Sequence, residues 1–162
     1  MGSFRSHLIG LVVVLTSAAP FGAALADCLP DTVELRGPAG VQRFSVEIAD
    51  TEAERSQGLM FREKMATSSG MLFVYDEPKH AYFWMKNTPL PLDMVFADRT
   101  GLVTAVHSNA VPQDETPIDG GPGVAFVLEI NAGLATRMGI APGTVMRSDA
   151  LKQALAAWRC ED

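Results

Sequence analysis

Basic residues, cysteines and histidines are scarce in this chain, and each scarcity excludes something. Across 162 residues, 13 Lys and Arg stand against 19 Asp and Glu, for a net charge of -6 and a pI near 5.0. A nucleic-acid-binding domain normally presents a basic face, so no nucleic-acid partner is expected. With two cysteines there is no CxxC pair for redox or metal chemistry. His80 and His107 lie far apart and flank no acidic or Cys cluster, so no zinc site is expected. Ser68-Ser69-Gly70 is not a G-x-S-x-G elbow. Gly120-Gly121-Pro122-Gly123 lacks the Lys-Ser/Thr that would follow in a phosphate loop, and reads as a turn. No recognised catalytic motif or cofactor fingerprint remains.

What is present is an apolar chain with an export-like start. Hydrophobic residues make up 48% and charged residues 20%, enough to build one packed domain. Arg5 is the first charged residue, Leu8 to Leu15 is a short apolar run, and Ala24-Leu25-Ala26 has the A-x-A form of a cleavage site. Residues 1–26 are therefore expected to be a signal peptide, with the mature domain at 27–162. The alternative is a retained anchor, but the run is shorter than the roughly 20 residues needed to span a membrane. Asp27 before Cys28 disfavours a lipid anchor, and no stable membrane insertion is expected after cleavage. A periplasmic or secreted location follows, and there Cys28 and Cys160 are expected to pair.

Alternation predicts strands at Thr32–Arg36 and Val41–Ile48 around a Gly-Pro-Ala-Gly turn. Thr51-Glu52-Ala53-Glu54 is a capping box that starts a helix expected to reach about Arg62. Gly58 inside such a helix costs about 1 kcal/mol, which suggests a close neighbour at its backbone. Gly70–Tyr75 and Ala81–Met85 are expected to form a hairpin about Asp76-Glu77-Pro78-Lys79, and Met94–Ala97 with Leu102–His107 a second about Gly101. A polar loop is expected over Pro112–Gly123, then a central strand at Val124–Ile130. Asn131 is expected to cap a short helix ending at Gly139, and a last helix is expected over Asp149–Trp158. The fold class is mainly β, a sandwich or open barrel with two or three peripheral helices.

The successive motifs ERSQGLMFREKM, SGMLFVY, FWMKNTPLPLDMVF and VLEINAGLATRMGI carry a resemblance. In this order, over roughly Val33 to Val145, the chain resembles the DUF192 family, also called UPF0127, of small bacterial and archaeal proteins. The resemblance implies a β-sandwich-like fold and frequent export. It implies no catalytic residues, because the family's function is undetermined.

Two carboxylates interrupt apolar strands, Asp93 after the double-proline connection and Glu129 in the central strand. A buried carboxylate is costly unless it is paired. Arg55, Arg62 or amides of the Pro-rich turn are candidate partners for Asp93, which would make it a scaffold residue. The alternative is a ligand site in which Arg55, Met60, Trp84, Asn87, Asp93 and Glu129 converge on an apolar pocket. Such a pocket suits a small polar molecule or glycan and a non-enzymatic accessory role. A hydrolase using Asp93 and Glu129 would require the two carboxyls to face one another roughly 5–10 Å apart. Cu(I) handling is a further alternative, since Met60, Met65, Met71, Met85 and Met94 crowd the central segment. Their spacing has no Met-x-x-Met or Met/His pairing, which favours core filling and no metal.

Overall fold

A computed structural model of the chain describes residues 27–162, and the signal-peptide expectation lies outside them. Seven strands and two short helices follow in the order β1 (Thr32–Gly37), β2 (Gly40–Ala49), α1 (Glu52–Gln57), β3 (Ser69–Phe83), β4 (Leu92–Asp98), β5 (Val103–Ala110), β6 (Ile118–Asn131), α2 (Leu134–Arg137) and β7 (Val145–Arg147). All seven strands join one sheet in the spatial order β5-β4-β6-β3-β2-β1-β7. Only β2 and β3 are parallel, and the segment carrying α1 provides the crossover that parallel pairing demands. The sheet curls into a half-barrel. At one end its two edges meet, with Leu102 bridging Val145 and the Val103 amide donating to the Thr144 carbonyl over 2.9 Å. Of the two expected architectures this is the open barrel, with no second sheet among the described residues.

Period-two alternation divides the apolar side chains between two cores. Val33, Leu35, Phe44, Leu72, Val95 and Leu128 belong to a cluster fed by every strand, which fills the inside of the curl. Met71, Phe73, Met94, Phe96 and Val127 project from the other face. There they are covered by Leu59 from the crossover and by Met85 and Leu90 from the β3–β4 connection.

The β1–β2 and β4–β5 hairpins form where alternation places them, and Gly101 adopts φ +83° in the second turn. The capping box forms as well: the Glu54 amide donates to Thr51 Oγ1 (3.2 Å), and the Thr51 amide donates to Glu54 Oε2 (3.0 Å). Cys28 and Cys160 are joined in a disulfide that links the two ends of the described chain.

Five expectations are corrected. Helix α1 stops at Gln57 rather than near Arg62, because Gly58 turns to φ +48°. A Cβ at Gly58 would sit 3.2 Å from the Phe73 ring, which is the close neighbour the glycine implied. The expected 70–85 hairpin is instead one strand, β3, paired with β6 on both sides of Asp76–Lys79. The register shifts there, and the bulge tolerates Pro78, which has no amide to donate. Correspondingly, residues 118–123 of the expected loop and turn are the start of β6, and a Cβ at Gly120 would lie 2.2 Å from the Phe96 ring. Asn131 ends β6 and donates its side-chain amide to the Met65 and Ala66 carbonyls, while Gly133, at φ +77°, precedes α2. Residues 149–158 form turns rather than a helix. Trp158 lies beside the guanidinium groups of Arg36 and Arg147, 4.3 and 4.2 Å from its ring, and these contacts with the disulfide outweigh local helix propensity.

Candidate functional site

The register of β4 against β6 decides where the two carboxylates point. Asp93 pairs with Ile130 and Met94 with Glu129, so Asp93 and Glu129 emerge on opposite faces of the sheet. The structure does not bring them together, and they form no acid–base pair.

Asp93 is fully buried, and three backbone amides hold it. Its Oδ1 accepts from Asn109 (2.8 Å) and Gly133 (3.0 Å), and its Oδ2 from Ala135 (2.8 Å). These donors come from the end of β5 and the start of α2, not from the Pro-rich turn or an arginine. Asp93 therefore ties β4 to two neighbouring elements, with its acceptors used inside the fold. Arg62 instead forms an ion pair with Glu47, its Nη2 donating to Oε2 over 2.8 Å. Arg55 Nη1 donates to the carbonyls of Asp50 and Val74, the latter at 2.8 Å.

Glu129 is in the opposite situation. It is 5% exposed and stands between Met71 on β3 and Met94 on β4, its direct partners across the sheet. Among the described residues no hydrogen bond or ion pair reaches its carboxyl, and since no sealed side-chain oxygen lacks a partner, the carboxyl oxygens are open to the adjoining cavity. Burial without compensation pushes its pKa up to about 8, so the group is mainly a neutral acid at pH 7. In that form it both donates and accepts a hydrogen bond.

Glu129 opens onto a cavity of about 100 Å³ between β3 and the segment that follows α1. Four of the six candidate residues line it: Arg55, Met60, Trp84 and Glu129. Asp93 lies on the other face. Asn87 is absent from the wall; at φ +53° it accepts the Phe61 amide through its carbonyl (2.7 Å) and so pins the two loops beside the cavity. The remaining aromatic wall was not foreseen from the sequence. Phe73 and Phe83 meet edge to face with ring centres 5.1 Å apart, Tyr75 joins them, and Tyr82 and Trp84 stand at the mouth, 59% and 48% exposed. Burial raises the Tyr75 pKa, the nearby Arg55 charge opposes that rise, and Glu129 adds to it. The signal for Phe73 was two-residue alternation from Met71, legible only once Met71 is known to face Glu129.

A second cleft, of about 190 Å³, lies between the β3 bulge and the C-terminal segment, but its charged side chains, among them Arg99 and Glu77, face solvent. His80 Nε2 lies 2.7 Å from Asp119 Oδ1 in an exposed pair. Among the described residues no cluster of three or more His, Cys, Asp or Glu could hold a metal. Met85 and Met94 are fully buried in the outer-face core. No helix of the described residues is long and apolar enough to cross a membrane.

Two solved structures share this architecture. A protein of unknown function from Novosphingobium aromaticivorans DSM 12444 is 43% identical over 72% of this chain and 83% of its own, with a TM-score of 0.70. A protein from Sinorhizobium meliloti 1021, described as a candidate transcription regulator, is 42% identical over 77% of this chain and 98% of its own, with a TM-score of 0.72. No curated protein matches the chain. The family model described as DUF192, uncharacterized ACR, matches residues 33–148, and the chain belongs to that family.

Proposed function

We propose that this DUF192 domain is an exported, non-enzymatic binding module whose ligand enters the cavity at Glu129. One observation carries the reading: a buried carboxyl with no partner in the fold opens onto an aromatic-lined cavity. A carboxyl that the fold leaves without a protein partner and open to a cavity can hydrogen-bond a ligand there. Convergent polar groups in an otherwise apolar concavity are the usual construction of a small-molecule site. The disulfide and the A-x-A segment support export. A glycan end is a second reading, favoured by the exposure of Trp84 and Tyr82 at the mouth. The acidic balance of the chain gives no support to extending the description of the Sinorhizobium protein to this one.

The test is a calorimetric screen of the purified protein against small amines, sugars and carboxylates, repeated with Trp84→Ala. Saturable binding that Trp84→Ala weakens supports the site. If no compound in any class binds, the reading fails.

A further inference from the structure

We propose that the Glu129 cavity takes a small organic carboxylate, its head group held between Arg55 and the Glu129 carboxyl and its short apolar body lying deeper in the cavity. This ligand class rests on the binding role just given to the cavity and makes it more specific.

The rim of the cavity carries more positive charge than the fold uses. Arg55 lines the cavity, and an adjoining hollow that shares Arg55, Ser56 and Tyr75 with it adds Lys79 and Glu52. Arg55 and Lys79 both flank the Tyr75 ring, 5.2 and 4.5 Å from its centre, and Lys86 lies 5.1 Å from the centre of Trp84. Among the described residues the ion pairs are made by other side chains, and these three cations take no carboxylate partner. Arg55 Nη1 donates to the Asp50 and Val74 carbonyls, which anchors the guanidinium, while Nε and Nη2 make no hydrogen bond among the described residues. Arginine and lysine only donate, so an acceptor is what they lack, and a carboxylate can meet a guanidinium with both oxygens.

Glu129 does not neutralise these charges. Burial is the one cause of its raised pKa, and no cation offsets it. Tyr75 lies between the two sides, since Arg55 acts on its ionisation in one direction and Glu129 in the other. With its pKa pushed up to about 8, the Glu129 carboxyl is mainly protonated at pH 7 and can donate a hydrogen bond to an anion. Ser56, Gln57 and Thr88 add further polar groups to the wall.

Size and lining restrict the rest of the ligand. A volume of about 100 Å³ holds roughly three water-sized groups at about 30 Å³ each, which fits a short-chain acid. Met60, Phe73 and Phe83 offer its body apolar contact that inorganic phosphate would leave unused. The net charge of -6 opposes anions at long range, but such fields are screened beyond about 8 Å at physiological ionic strength. At the rim itself Arg55 and Lys79 outnumber Glu52.

The same carboxyl makes binding sensitive to pH. Once ionised it repels the guest, so affinity falls by about tenfold between pH 7 and pH 9. The titratable and charged groups around Glu129 are Arg55 from α1 and Tyr75 and Tyr82 from β3, with Glu52, Lys79 and Lys86 farther out. From β4 it meets Met94, which does not titrate. Tyr75, with its raised pKa, stays protonated over this range.

The experiment titrates butyrate, inorganic phosphate and glucose separately into the purified protein by calorimetry at pH 7 and pH 9. The expected result is saturable binding of butyrate alone, weaker at pH 9 by about tenfold. Glu129→Gln, whose amide still donates, should retain butyrate binding at pH 7 and remove the loss at pH 9. Arg55→Gln should weaken binding by about tenfold or more, as expected for a hydrogen-bonded charge. Lys79→Ala, at an exposed position that the fold does not depend on, should weaken it by about threefold. Phosphate or glucose saturating the cavity in place of butyrate overturns the carboxylate class but leaves the binding role standing. Butyrate binding that is equal at both pH values and unaltered by Lys79→Ala places the ligand elsewhere and overturns the site. Absence of binding by all three probes overturns the carboxylate class, and extension of that absence to the wider screen overturns the binding role too.

Discussion

Replacing Glu129 with Gln should make the protein more stable above neutral pH, although the side chain is buried and nearly isosteric. The unfolded chain releases the Glu129 proton near the ordinary value of 4.5, and the folded chain releases it only near about 8. Between these values the folded state retains a proton that the unfolded state has lost, so stability present below 4.5 declines as pH rises toward 8 and then levels off. At about 1.4 kcal/mol for each pH unit, the loss is about 3 kcal/mol by pH 7 and about 5 kcal/mol once the folded carboxyl has ionised. Gln cannot ionise and avoids that decline. The difference between the two proteins should therefore widen steadily from pH 5 to pH 8. Glu34, Glu54 and Asp119 have lowered values and act at the acid end in both proteins, so they cancel in the comparison. Urea unfolding midpoints at half-unit pH steps measure this difference. Parallel pH profiles for the two proteins would refute the uncompensated burial of Glu129.

Asp93→Asn should cost about 3 kcal/mol or more, because an amide cannot accept from all three backbone donors that the carboxylate satisfies, and urea unfolding measures it. Reducing the Cys28–Cys160 bridge, or replacing both residues with Ser, should lower stability by about 4–5 kcal/mol for a loop exceeding 100 residues, read from unfolding with and without reductant. Gly120→Ala should destabilise by about 1–3 kcal/mol in thermal melts, since the new Cβ would overlap the buried Phe96 ring. Arg147→Ala should cost about 3–5 kcal/mol at neutral pH, because Glu34 loses its buried partner (2.5 Å) and keeps only the exposed Arg43.

Much of the local structure was legible because it is written in short-range chemistry. The capping box at Thr51, the β1–β2 turn and the Gly101 turn each depend on residues within a few positions of one another. Elements that depend on distant partners were misread. Asp76–Lys79 and Gly120–Gly123 have the composition of turns, yet each is an irregular stretch inside a long strand, carried by the β3–β6 pairing around it, with Val74 opposite Phe126, Lys79 opposite Val124 and Ala81 opposite Gly121. The C-terminal segment has helical spacing, but the contacts of Trp158 with Arg36 and Arg147 and the disulfide hold it in turns. The candidate site divides along the same line. Arg55, Met60, Trp84 and Glu129 converge on one cavity, whereas Asp93 was grouped with them on residue type alone. Which face a carboxylate occupies depends on its position in a strand relative to that strand's partner. Two acids that look equivalent in sequence thus take opposite roles, Asp93 fully satisfied and Glu129 left without a partner.

The most direct test follows the Glu129 carboxyl itself, by carbon NMR of protein labelled at the glutamate side-chain carboxyls, assigned through Glu129→Gln and titrated from pH 4 to pH 10. The account predicts a resonance that titrates near about 8. A Glu129 resonance that titrates between pH 4 and 5 would contradict it.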